Sequence, residues 1–177
     1  MRSFCCLLAF FICSLSFSQE GAGSCAQLQA DPELYQSCAT SIPFANSTQN
    51  NSGEAFQTTC IPTEFAGPTW FFILINQSGP IVLQVSQVSN NGNAADVDFV
   101  LWGPFSSLTG FCPQLTPANE VDCSYSASAI ETVNFPNAIS GEYYILVVDN
   151  FANVPGQISI AQSGGSGSSD CSFLSSV

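Results

Sequence analysis

The apolar positions of this 177-residue chain follow two patterns. TWFFILIN (69–76) and EYYILVVDN (142–150) are apolar at nearly every position, and DVDFVLWG (96–103) becomes so after its two carboxylates. Other segments alternate. In IVLQVSQV, Ile81, Leu83 and Val85 oppose Val82, Gln84 and Ser86; in AIETVNF, Ile130, Thr132 and Asn134 oppose Glu131, Val133 and Phe135; in QISIAQS, Ile158 and Ile160 oppose Ser159 and Ala161. A period of two marks a strand with one wet face, whereas a short continuous apolar run marks a strand buried on both faces. EAFQTTC (54–60) is a further short candidate strand.

The runs are too short for independent helices, and QSGP, SNNGNAA, PNAISG and FANVPG separate them with turn-forming residues. QSGP closes the first two strands into a hairpin. Six to eight short strands with almost no helical periodicity predict an all-β chain, an antiparallel β-sandwich of jelly-roll type. Its expected core is Phe71, Ile73, Ile75, Leu83, Val85, Phe99, Leu101, Ile145, Val147 and Ile158.

Around this sandwich, placed at 54–163, the pattern weakens. Residues 19–53 read as a loop-rich extension in which ADPELYQSCA (30–39) suits a short helix, with Asp31 as cap, Pro32 in the first turn and Glu33 on the favourable side of the dipole. Residues 41–54, rich in Asn, Ser and Thr, suit a surface loop or edge segment. Residues 104–126 read as an irregular loop with a helical turn near 106–111. GGSGSS (164–169) reads as a flexible exit, closing a segment 164–177 anchored by Cys171.

The first eighteen residues, MRSFCCLLAFFICSLSFS, carry one positive charge, an apolar stretch and small residues at Ser16 and Ser18. This is the form of a secretory signal, with the exported chain beginning at Gln19. The apolar run is too short to span a bilayer, which takes ~20 residues. Three of the nine cysteines lie in this leader, leaving Cys25, Cys38, Cys60, Cys112, Cys123 and Cys171, an even set suited to disulfides in an exported protein. Six cysteines allow about 15 connectivities. Cys25 with Cys38 and Cys112 with Cys123 are local closures, and Cys60 with Cys171 would then join the ends of the domain.

Charge narrows the chemistry. The sole basic residue is Arg2, so loss of the leader removes its one positive charge and takes the formal net charge from −12 to −13. The exported chain holds no trypsin site, and no carboxylate in it has a side-chain ion-pair partner. Nucleic acid binding is excluded, because neutralising phosphates takes Lys or Arg. Without His or Lys there is no base for a Ser or Cys nucleophile, no His-ligated zinc and no phosphate-loop lysine. Glycoside hydrolysis, which needs only two acids, survives on inventory through Asp96, Asp98, Asp149 and Glu142.

Asp96 and Asp98 are the sharpest candidates. On a strand they share a face with Val100 and Trp102, ~7 Å apart, with Phe99 and Leu101 turned to the core. One reading is an outward-facing polar strand entrance beside a loop. The other is a Ca²⁺ site completed by loop carbonyls. A second constellation is aromatic: Trp102, Tyr125 and Tyr143, with Trp70 and Tyr144, either stack on a sugar or pack the core. Trp102 is expected to be partly exposed, since Gly103 and Pro104 end its strand. Asn-x-Ser/Thr sequons stand at Asn46, Asn50 and Asn76.

PTWFFILINQSGPIVLQVSQ, DVDFVLWGPF, GEYYILVVDNF, GQISIAQSG and the closing SSDC together resemble a β-sandwich module of secreted Bacteroidetes proteins, similar to the bacterial pre-peptidase C-terminal domain. The resemblance covers roughly Cys60 to Cys171. It implies a non-catalytic accessory role in adhesion, carbohydrate contact or spacing, at the N-terminal end of surface proteins that close in gliding-motility-associated or type IX sorting domains. No such sorting domain follows Ser172, so the chain is expected to be a fragment or a free-standing module. Relatives in secreted peptidases sometimes bind calcium, through acidic N-terminal ligands without a clear counterpart here.

The sequence thus predicts a secreted or cell-surface module that is not an enzyme and needs no cofactor except, in one reading, Ca²⁺. Its partner would be an extracellular glycan or surface protein. Two alternatives stand beside this: a carbohydrate-binding module, and a self-assembling surface subunit with a free sheet edge.

Overall fold

A computed structural model describes residues 21–38, 44–46, 56–62 and 64–172. Within them run β1 (Phe44–Asn46), β2 (Pro68–Gln77), β3 (Gly79–Ser89), β4 (Asp98–Phe105), β5 (Glu120–Ser124), β6 (Ile130–Ala138), β7 (Tyr143–Asp149), β8 (Gly156–Gly165) and β9 (Ser168–Ser169). One sheet has the order β1-β8-β3-β6 and the other β5-β4-β7-β2-β9. Every pairing between these strands is antiparallel, and the protein is an all-β sandwich. The leader and most of residues 41–54 lie outside the described residues.

The two hydrophobic patterns sort onto the two sheets. The alternating strands β3, β6 and β8 build the four-stranded sheet, which turns Ile81, Leu83, Val85, Val133, Phe135, Ile158 and Ile160 inward. The continuous runs β2, β4 and β7 are the centre of the five-stranded sheet, and both of its faces are covered. Phe71, Ile73, Phe99, Leu101, Leu146 and Val148 enter the sandwich interior. Trp70, Phe72, Val100, Trp102, Ile145 and Val147 enter a second core on the opposite face, so Ile145 and Val147 are core residues of this outer layer. Burying each such large side chain contributes roughly 1.5–3 kcal/mol.

The outer layer comes from segments that look weakly patterned in sequence. A helix, Cys25–Ala30, is capped by Ser24, whose Oγ accepts from the Gln27 N–H at 3.0 Å, and it buries Cys25 and Leu28. This is earlier than the predicted helix; Pro32–Leu34 forms a 3₁₀ turn instead, and the Asp31 side chain makes no capping bond. Ile61, Phe65, Phe111 and Leu115 complete the layer.

The same segments close the free edge of β2. Ala22 and Trp70 exchange backbone hydrogen bonds at 2.8 and 2.9 Å, Ser37 N–H donates to Phe72 C=O, and Asp170 N–H donates to Leu74 C=O. The Cys38–Cys171 disulfide joins these two edge-covering ends, Cys25–Cys112 ties the helix to the Cys112–Gln114 turn within the outer layer, and Cys60–Cys123 pins that layer to β5. The local pairings Cys25–Cys38 and Cys112–Cys123, with Cys60–Cys171, are therefore corrected. Proximity in sequence does not decide the pairing, because packing over the sheet brings together cysteines 63 to 133 residues apart.

Further expectations change. QSGP does not close a hairpin: β2 and β3 lie in different sheets, and the turn carries the chain from one to the other. EAFQTTC is not a strand over its described residues 56–60. The 104–126 loop contains β5, an edge strand of half-buried residues, and its helical turns are Cys112–Gln114 and Pro117–Asn119. The GGSGSS exit is built into the sheets: β8 runs through Gly165, and β9 pairs with β2. Gly165 has φ +92°, and a side chain there would meet Pro80 C=O at 2.1 Å, so only glycine permits this close crossing. With β1 as well, strand pairing reaches beyond 54–163 on both sides.

Candidate functional site

Three loops meet at one pole of the sandwich: β3–β4, β5–β6 and β7–β8. Their backbones are tied together. Val97 N–H donates to Ser128 C=O at 2.9 Å, Ala95 to Gln87 C=O at 3.1 Å, Gln87 to Ala129 C=O at 3.1 Å, and Asn90 to Pro155 C=O at 2.8 Å. Beneath them the buried Gln87 donates from Nε2 to Asn150 Oδ1 at 2.6 Å, and Asn150 Nδ2 donates to Val154 C=O at 2.8 Å. These bonds tie the loops to one another, with Gln87 Oε1 left buried and unpartnered.

Asp96, Asp98, Tyr125, Ser126, Ala127 and Phe151 line a hollow of about 240 Å³ at this pole. Asp96 also borders a neighbouring hollow of about 390 Å³, against Ser89, Asn93 and Pro155. Tyr125 and Phe151 stand at the mouth, 41% and 43% exposed, with ring centroids 5.3 Å apart in an edge-to-face pair.

Asp98 lies at the base and is only 1% exposed. The sequence places it outward in water; instead the covered outer face and the loops bury it. Neither of its carboxylate oxygens has a hydrogen-bond partner, and Asp96 Oδ1 is likewise buried and unpartnered. Burial, then the charges of Asp96, Asp149 and Glu131, push the Asp98 carboxyl up to about 7; the Ser126 N–H opposes this weakly from short of full hydrogen-bond geometry.

Two of its acidic neighbours, Asp149 and Glu131, are satisfied. Asp149, opposite Asp98 on β7, accepts from Gly67 N–H at 2.7 Å and Ala66 N–H at 3.0 Å. Burial still raises it above the usual carboxylate range, against those two bonds. Glu131 accepts from the Ser124 and Ser126 hydroxyls, both at 2.6 Å. Backbone amides and hydroxyls do the work that Lys and Arg do elsewhere. Among the described residues, no group of three or more His, Cys, Asp or Glu side chains is placed to hold a metal ion.

The aromatic constellation does not assemble. Trp102 is fully buried, stacked on Trp70 with centroids 5.9 Å apart and planes 11° apart, so the expected partial exposure is corrected. Its strand continues past Gly103 to Phe105, and the outer layer closes over it. Tyr143 begins β7, at the opposite end from Asp149, and packs on Phe72 at 6.2 Å. Of the three, only Tyr125 is at the pole with Asp96 and Asp98. Phe151 was not a sequence candidate; its one signal is a bulky aromatic in the polar loop NFANVPG, and its pairing with Tyr125 exists only in three dimensions.

No protein-family profile matches the chain, and no curated protein matches it. A solved structure, the pre-peptidase C-terminal domain of a collagenase from Bacillus anthracis, is similar over 62% of this chain and 96% of that one, with TM-score 0.36 and 16% identity.

A wider groove of about 690 Å³, lined by Phe56, Thr58, Ile61, Pro62 and Pro117 among others, offers less chemistry than the pole. Thr58 Oγ1 is already engaged by Ile61 at 2.8 and 3.0 Å. No helix among the described residues is long and apolar enough to cross a membrane.

Proposed function

We propose that the protein is an exported, non-catalytic accessory module that binds its partner through the loop pole holding Asp96, Asp98, Tyr125 and Phe151. One observation carries this: a buried carboxylate that receives no full hydrogen bond, only the weak approach of the Ser126 N–H, sits at the base of a hollow that opens between tied loops. Natural proteins seldom leave buried charge unpaired, because it costs several kcal/mol. When it is left at the floor of an opening, a ligand is the natural partner. The chain lacks His and Lys, which argues against nucleophilic catalysis, and three disulfides suit an oxidising compartment.

The test is amide chemical-shift mapping of the oxidised protein against calcium, soluble glycans and cationic peptides, run beside hydrolysis assays on polysaccharide and protein. Shifts confined to residues 95–98, 125–128 and 150–152 support the reading. Reproducible hydrolysis lost in Asp98→Asn, or a panel that leaves those amides unmoved, overturns it.

Calcium at Asp96 and Asp98 is the second reading, favoured by their unpartnered oxygens. A glycan resting on Tyr125 and Phe151 is the form a carbohydrate-binding role would now take, with Trp102 buried and Tyr143 remote from the pole.

A further inference from the structure

The pole asks for a positive charge, and its walls say which kind. Resting on the binding role assigned above, we propose that the hollow receives the basic side chain, lysine or arginine, of a partner polypeptide, with Asp98 and Asp96 meeting its charge and Tyr125 and Phe151 holding its aliphatic stem.

Four observations converge on this. Asp98 is 1% exposed and lines the hollow, and neither of its oxygens has a partner; Asp96 contributes a third unpartnered oxygen. The cation must come from outside, because Arg2 is the only Lys or Arg in the sequence and there is no His. A hard metal ion takes six or more oxygens, and of the four carboxylates grouped at the pole only these two are uncommitted, so most of its ligands would have to be loop carbonyls and water: Asp149 is engaged by Gly67 and Ala66, and Glu131 by Ser124 and Ser126. Finally, the mouth is aromatic and Ala127 lines the wall, surfaces that offer nothing to calcium but attract organic cations and pack on methylenes.

Size agrees. The hollow, about 240 Å³, far exceeds the ~30 Å³ share of one water, so it accommodates a charged group together with part of its stem. The bound loops pre-form the site, so little ordering is required on binding. The formal charge of −12 also draws basic partners from a distance and repels acidic ones.

The experiment is a shift titration of the oxidised exported chain at pH 8 with Nα-acetyl-lysine methylamide and Nα-acetyl-arginine methylamide. The uncharged Nα-acetyl-norleucine methylamide is the control; n-butylamine, putrescine, a lysine-rich peptide and CaCl₂ are further arms. Saturable shifts at Asp96, Asp98, Ser126 and Phe151 are expected for at least one basic amide and not for the control. Asp98→Asn should weaken binding at least about tenfold, as loss of a hydrogen bond to a charged group does. Phe151→Ala, at an exposed position, should weaken it while leaving the melting temperature nearly unchanged.

The peptide binding more tightly than either free amine assigns the cation to a polypeptide; a free amine binding as tightly as the peptide removes that assignment. Equal shifts from the norleucine control, binding undisturbed in Asp98→Asn, or calcium occupying the same amides at lower concentration and excluding the amines each overturn the proposal. Calcium or a glycan moving these amides while basic amides do not leaves the binding role standing and removes this ligand class; amides that no probe moves remove both.

Discussion

Asp98 and Asp149 are cross-strand partners on β4 and β7, two carboxylates side by side on one face of the five-stranded sheet, and only one of them is satisfied. Asp149 takes two backbone N–H bonds, while the Asp98 oxygens take none. Directly opposed like charges destabilise a sheet. No basic side chain follows Arg2 in the sequence to relieve them, so the relief is a proton or a ligand.

Stability should fall as pH rises. Asp98 goes from 3.8 in the unfolded chain to about 7 in the folded one, so between those values the folded protein holds a proton that the unfolded chain has released. This contribution is complete below about pH 4 and is lost as pH climbs through about 7. The groups facing Asp98 are Asp96 from the β3–β4 loop, Asp149 from β7 and Glu131 from β6, with no cation among them. Melting curves from pH 4 to pH 8 should show this decline, and Asp98→Asn should flatten it and gain roughly 1–3 kcal/mol at pH 8. A variant less stable than the parent at pH 8 contradicts the assignment.

The disulfide map is open to direct measurement. Non-reducing peptide mapping with chymotrypsin or an Asp/Glu-directed protease, trypsin having no site beyond Arg2, should recover Cys25–Cys112, Cys38–Cys171 and Cys60–Cys123. The bridges span 87, 133 and 63 residues. Chain-entropy arguments give roughly 4–5 kcal/mol for loops of these lengths, with smaller measured values common. Replacing Cys38 and Cys171 by Ser should lower the denaturation midpoint and speed amide exchange along the β2 edge.

Trp102 is a packing residue. Trp102→Ala should cost about 3–5 kcal/mol, as loss of a large buried aromatic does, and should leave the pole's ligand response intact in the folded fraction. Parent tryptophan emission should be blue-shifted and poorly quenched by iodide, since Trp70 is also fully buried. Ready quenching would contradict the outer layer.

A carboxylate bridges the neighbouring edges β5 and β6. Asp122 on β5 accepts from both Asn134 N–H at 2.6 Å and Asn134 Nδ2 at 3.0 Å, bridging the edge of one sheet to the edge of the other. Asp122→Ala frees a backbone donor on β6, so sedimentation should show more self-association than in the parent, with about 1–2 kcal/mol lost in stability. Unchanged association would separate this bridge from any edge protection.

The contrast between continuous and alternating apolar runs was readable one segment at a time, because covering one or both faces of a strand dictates its pattern locally. TWFFILIN reads as doubly buried before any partner is known. β5 was not readable: EVDCS is half-buried throughout, and its pairing with β4 rests on backbone bonds that any side chain permits. Asp96 and Asp98 were found by spacing, while Phe151 and the burial of Asp98 were not, since both depend on loops far apart in sequence.

By itself the sequence determined an all-β chain with one strand, TWFFILIN, buried on both faces, six cysteines beyond the expected leader and a carboxylate inventory without basic partners. Those properties are set by side-chain type and short-range periodicity. Only the tertiary structure decided what covers the outer face of the five-stranded sheet, which cysteines meet, and that Trp102 is buried while Asp98 lies at the floor of a hollow. Burial and pairing there are properties of surfaces brought together from distant segments, and no local pattern encodes which surfaces meet.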